Sequence, residues 1–176
     1  MMIQRRFFQS LLFPKPTTKR HTERTIVKTN AQHLYKIIEN VDEYSKFLPF
    51  CSASRILRRS GTVFDASLTV GLPPLFTEQF VSRVTSDPHD LVIETRSLKS
   101  KLFENCQSRW KLKPTECQGK THVEFWMELT VSDPIIVVAL DQVLKEVAGR
   151  QVEAFERRCQ EIPYEGSSAE ENGRKK

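Results

Sequence analysis

No apolar stretch in this sequence approaches the roughly 20 residues that a membrane-spanning helix requires. Beyond the first twenty residues the longest run is Ile135 to Leu140, which excludes a helical transmembrane anchor. Glycine is scarce, at 6 of 176 residues, and no internal repeat or low-complexity tract is present, so collagen-like, solenoid and largely disordered chains are excluded. The four cysteines, Cys51, Cys106, Cys117 and Cys159, form no C-x-x-C pair. A single domain of this length buries a core without disulfide staples, so a reducing compartment is expected. Acidic residues are absent from residues 1 to 20, which carry Arg5, Arg6, Lys15, Lys19 and Arg20 and so account for the whole formal charge of +5. The remaining chain is neutral, with 22 basic and 22 acidic residues, and gives no electrostatic reason to expect nucleic acid as a partner.

Catalytic signatures are also missing. His21, His33, His89 and His122 are scattered without zinc-ligand spacing, Gly61 and Gly71 make no phosphate-binding loop, and no G-x-S-x-G occurs. Cys106 and His122 fall on strands that can be neighbours, but a packed thiol and a strand histidine explain them more simply than a nucleophile and its base. Glu78 and Glu104 remain as carboxylates that a groove enzyme could use as a general acid, if burial raised their pKa. Arg55, Arg58 and Arg59 form a basic patch that reads as protection of a strand edge.

What is present begins with the leader. Ile3, Phe7, Phe8, Leu11 and Leu12 recur at helical spacing around Arg5 and Arg6, and Pro14 and Pro16 end the pattern. An amphipathic, Arg-bearing, acid-free start predicts a mitochondrial presequence over 1–20, followed by one domain over 21–163 and a polar, disordered tail over 164–176.

Within the domain, a strand is predicted over 21–28, then a helix capped by Asn30, then a second short helix over 41–47. Strand-like segments follow at 54–59, 62–70, 76–86, 90–97, 102–113 and 120–131. In the last of these, Val123, Phe125, Met127, Leu129 and Val131 alternate with polar or exposed positions, so one face is buried. Asp133 and Pro134 open a helix that runs to Pro163, with Ile136, Leu140, Val143, Leu144, Val147, Val152, Phe155, Cys159 and Ile162 on one broad face. The expected fold is α+β: a curved seven-stranded antiparallel sheet around a long C-terminal helix, with two short helices after strand 1. Gly149, in mid-helix, predicts a close approach there.

Two apolar segments fall where loops belong: YSKFLPFC at Tyr44 to Cys51 and VGLPPLF at Val70 to Phe76. Together with LFENCQSRWKL at Leu102 to Leu112 and QVEAFERRC at Gln151 to Cys159, they resemble the mitochondrial coenzyme Q-binding proteins of the START, or polyketide cyclase/dehydrase-like, superfamily. The resemblance covers about residues 21 to 162 and implies a helix-grip fold. It also implies a non-catalytic protein that needs no catalytic cofactor and holds ubiquinone or another polyisoprenoid lipid in an apolar tunnel. Such a protein would work at the matrix side of the mitochondrial inner membrane, with respiratory or quinone-synthesis complexes as partners. Carried over by position, Phe47, Leu48, Pro49, Phe50 and Trp110 line the site. Periodicity adds Phe125, Met127, Leu140, Val143, Leu144 and Val147. Leu72, Pro73, Pro74, Leu75 and Phe76 are expected to touch the membrane and admit the ligand. Two alternatives stay open: an enzyme of cyclase or hydratase type on the same fold, and a protein associated with mitochondrial ribosomes.

Overall fold

The computed structural model describes residues 15–74 and 76–164. The expectations for residues 1–14 of the leader, for Leu75 and for the tail beyond Tyr164 lie outside the described residues.

The side chain of Asn30 accepts hydrogen bonds from the backbone N–H groups of Gln32 (2.8 Å) and His33 (3.3 Å) and so starts helix α1, Ala31–Glu39. The second short segment, Val41–Lys46, is a 3-10 helix rather than an α-helix. A six-stranded antiparallel meander, joined at its last strand by the first, then builds a sheet from β1 (Thr17–Val27), β2 (Cys51–Ser60), β3 (Val63–Leu72), β4 (Phe76–Asp87), β5 (Val92–Lys99), β6 (Asn105–Pro114) and β7 (Thr121–Val131). Its order is β1-β7-β6-β5-β4-β3-β2, antiparallel throughout. Asp133 caps helix α2, Pro134–Glu161, by accepting from Ile135 N (2.8 Å) and Ile136 N (3.3 Å), with proline at its start where a missing N–H costs nothing. At 28 residues α2 is about 42 Å long and lies across the concave face of the sheet.

Several boundaries differ from expectation, among them the start of β2, at Cys51 rather than residue 54. Strand β1 begins at Thr17, not residue 21: Thr17 to Arg20 pair with Val131 to Glu128, and Lys19 bridges to Asp141 on α2 at 2.6 Å. The basic residues Lys19 and Arg20 therefore belong to the sheet. Strand β6 starts three residues late, because the Glu78 carboxylate captures the N–H groups of Lys101 and Leu102 and takes them out of the ladder. At the C-terminal side, Tyr164 still packs on the domain, its ring 5.4 Å from that of His33.

Gly149 contradicts its expectation. A Cβ added there would meet nothing within 4 Å, so no neighbouring element crowds that turn of helix. The crowded glycine is Gly71, where a Cβ would lie 2.8 Å from the carbonyl oxygen of Phe76 across the β3–β4 hairpin.

The core forms two clusters. The larger joins α1, the sheet centre and the C-terminal half of α2 around Phe64, Phe125 and Phe155, and the smaller joins Phe103, Leu129 and Val131 to Ile136, Leu140 and Leu144 of α2. Met127 packs against both, and the space between them is left open.

Candidate functional site

That space is a cavity of about 200 Å³ between the concave face and α2. Strand alternation builds its floor: Phe80, Ser82 and Val84 from β4, Ile93 and Thr95 from β5, Cys106, Ser108 and Trp110 from β6, and Phe125, Met127 and Leu129 from β7. Leu140, Leu144, Val147 and Gln151 of α2 form the roof. At the inner end the Trp110 ring lies 4.4 Å from that of Phe125 and 5.1 Å, edge-on, from that of Phe155, which fixes it as a rigid wall.

The register gathers the apolar loops at one end of the sheet. Cys51 pairs with Val70, Leu72 with Phe76, Val81 with Lys99, and Thr17 with Val131. The segment 47–50, the β3–β4 tip, the loop 100–104 and the start of α2 therefore share that end. Leu48, Pro49, Phe50, Leu72, Phe76 and Phe103 line the cavity there, while Pro73, Pro74, Ile135 (72% exposed) and Val138 (59%) face outward. The opposite end carries polar turns at 60–62, 87–90 and 115–120. A polar end and an apolar end on one small domain define a direction for docking.

Of the residues expected to bind ligand, Leu48, Pro49, Phe50, Trp110, Phe125, Met127, Leu140, Leu144 and Val147 line the cavity. Phe47 is not among the lining residues: its ring packs edge-on against Tyr44 (5.9 Å) and Phe155 (5.2 Å), with the Arg158 guanidinium over it. The side chains of Val143 and Leu75 lie outside the described residues. Of the expected membrane segment, Leu72 and Phe76 face the cavity and the two prolines face out. Two features escaped the sequence reading. Phe103 is buried in a loop, edge-on to Phe76 (6.1 Å) and Phe80 (6.3 Å), and the hydroxyl residues Ser82, Thr95 and Ser108 interrupt the apolar floor. The alternation of β4 to β6 was the available signal for the second.

No Asp, Glu, His, Lys or Arg lines the cavity among the described residues. Glu78 is buried, but its Oε1 accepts hydrogen bonds from Lys101 N (2.6 Å), Ser100 Oγ (2.8 Å) and Leu102 N (3.3 Å). Burial alone would raise its pKa, yet these donors outweigh burial and hold it below the ordinary glutamate range. That is the reverse of what a general acid needs. Glu104 is exposed and bonds to Ser132 Oγ. Cys106 is pushed up to about 12 by burial, which makes it a poor thiolate. It pairs in register with Leu129 while His122 pairs with Lys113, so seven residues, or about 23 Å of strand, separate the two. In the basic patch, Arg58 is bound to Asp65 and Arg59 to Glu39, leaving Arg55 exposed. No group of three or more His, Cys, Asp or Glu among the described residues could hold a metal ion.

A sheet gripping a helix over an uncharged, largely apolar cavity defines a class of protein that encloses hydrophobic molecules. Residues 27–156 match the family described as polyketide cyclase / dehydrase and lipid transport, and the chain belongs to that family. It is 28% identical over 175 residues to the mitochondrial coenzyme Q-binding protein COQ10 homolog B of Xenopus laevis, covering 92% of this chain and 69% of that one. It is 29% identical over 140 residues to the ribosome association toxin RatA of Escherichia coli K12, covering 78% and 84%. Among solved structures it superposes on the Zhui aromatase/cyclase from Streptomyces sp. R1128 with a TM-score of 0.72 at 15% identity, covering 82% and 94%. The last likeness establishes the fold alone.

Proposed function

We propose that this protein binds ubiquinone or a lipid precursor of it and carries the molecule without transforming it. On this reading it is a quinone chaperone for respiratory electron transport and ubiquinone synthesis. The observation that carries the reading is the uncharged cavity opening among apolar loops, in a chain related to a protein named for coenzyme Q binding. The cavity is smaller than the roughly 300–1,000 Å³ typical of enclosed ligand sites. The ring and the first isoprene units are held inside, and the rest of a long tail leaves between the loop at 47–50, Phe76 and Phe103 toward the bilayer.

The leader reading places the protein in the mitochondrial matrix, against the inner membrane, and the apolar end supplies the contact. Burying exposed apolar side chains such as Ile135 and Val138 yields about 1.5–3 kcal/mol each, before the costs of ordering and orientation. This suits reversible attachment rather than anchoring. The test is mass spectrometry of the organic extract of purified protein, followed by titration with added quinone. Recovered or bound quinone supports the reading, and protein that carries no lipid and takes up none refutes it. Sedimentation with mitochondrial ribosomes, abolished at moderate salt, would favour the ribosomal alternative instead.

A further inference from the structure

We propose that Ser82, Thr95 and Ser108 form a hydrogen-bonding station for the head of the bound lipid. The station selects a neutral ring bearing carbonyl or ether oxygens over lipids with a charged head. This rests on the reading that the cavity takes a quinone, and specifies how it is recognised.

The three residues occupy inward positions on adjacent central strands β4, β5 and β6, where the same alternation elsewhere supplies Phe80, Val84, Ile93, Trp110, Phe125 and Met127. Thr95 and Ser108 are directly paired, and their hydroxyl oxygens lie 2.8 Å apart. Two hydroxyls sharing one hydrogen bond have used one of their two hydrogens, so a donor remains. Neither makes a further side-chain hydrogen bond among the described residues, and Ser82, 3% exposed, makes none there. Gln151 presents a polar side chain from the roof.

A packed core would place branched aliphatic side chains at these positions. Small hydroxyl residues instead leave room above the sheet and offer donors into it. A quinone oxygen that enters this space replaces its bonds to water with bonds to hydroxyls, whereas a carboxylate or phosphate would be desolvated with no cation among the described lining residues to meet it. Trp110, two residues along β6 from Ser108, closes the inner end, so the ring stops at the station and the tail points toward the apolar loops.

The test uses the full chain, and the probes are a ubiquinone with a two-isoprene tail, the oxygen-free isoprenoid squalene, and palmitate. Quinone binding is read by quenching of Trp110, which borders the cavity, and binding of the other two probes by their displacement of bound quinone. Thr95→Val with Ser108→Ala is expected to raise the Kd for the quinone about tenfold, the effect of losing one or two hydrogen bonds. Squalene binding should stay within twofold. Thr95→Ser with Ser108→Thr, which keeps both hydroxyls, should keep quinone affinity, and palmitate should bind wild type at least tenfold more weakly than quinone. Unchanged quinone affinity in the first variant, equal loss for squalene, or palmitate bound as tightly as quinone would each overturn the proposal. If the first variant fails to fold, Ser82→Ala alone is read the same way, with a threefold loss expected. Wild type that binds no quinone refutes the underlying reading. That result is distinct from wild type that binds quinone and a variant that binds it equally well.

Discussion

Replacing Glu78 by glutamine removes a charge and almost nothing else, which makes it a clean test of what this buried carboxylate does. In the structure one oxygen, Oε1, receives Lys101 N, Ser100 Oγ and Leu102 N, and the loop so fixed carries Phe103 into the cavity wall. Hydrogen bonds to a charged acceptor contribute about 1.5–3 kcal/mol each, against about 0.5–1.5 for neutral ones. Three weakened bonds thus amount to about 3 kcal/mol, reduced by the relief of no longer burying a charge. A net loss of about 2 kcal/mol is expected at neutral pH, lowering Tm by about 4–8 °C. The assay is thermal unfolding of both proteins from pH 3 to 8. Because the folded-state pKa of Glu78 is depressed, its contribution is complete above the unfolded value, about 4.3, and fades as pH falls through and below it. The two proteins should therefore differ most at pH 7, and the difference should shrink as the pH falls below the unfolded value. A difference that grew on acidification, or a variant as stable as wild type at pH 7, would refute this account.

Two further comparisons probe the chain at single positions and at its start. Gly149→Ala should stabilise by up to about 1 kcal/mol, a rise in Tm of about 2–4 °C, since the helix gains propensity and the new methyl meets nothing, whereas Gly71→Ala should destabilise through its clash with the Phe76 carbonyl; both are read by thermal unfolding. A chain that starts at residue 21 should melt several degrees below one that starts at residue 15, because Thr17 to Arg20 are paired with β7 and Lys19 with Asp141. If the leader directs import, both truncations lose it.

The order of elements was legible because each had a local cause. Asn30 and Asp133 cap helices, Pro163 follows the end of the last one, and β7 alternates cleanly from Val123 to Val131. The apolar segments at 47–50 and 72–76 were visible because greasy residues stood where turns belong. What periodicity could not convey was which inward residues meet and what else they meet. Glu78 faces inward by alternation, yet its partner is a loop more than twenty residues away. Phe47 sits beside cavity residues in sequence, but its ring finds Tyr44 and Phe155. Gly149 was read as a sign of crowding when the helix face there is open. The hydroxyls of β4 to β6 looked like ordinary strand residues until three strands were laid side by side.

The pairing of the first strand with the last carries a consequence for the birth of the molecule. Among the described strands β1 pairs with β7 alone, so Thr17 finds Val131 more than a hundred residues later. Long-range pairings of this kind form late and slowly, since a large loop must close before any contact rewards it. A chain emerging or threading from its amino terminus therefore exposes its first strand unpaired until nearly all of it has arrived, and α2, the roof, comes last of all. On the proposed function, loading of the lipid then follows synthesis. The nascent protein passes through a stage in which its apolar interior lacks a roof, and a chaperone has reason to be waiting.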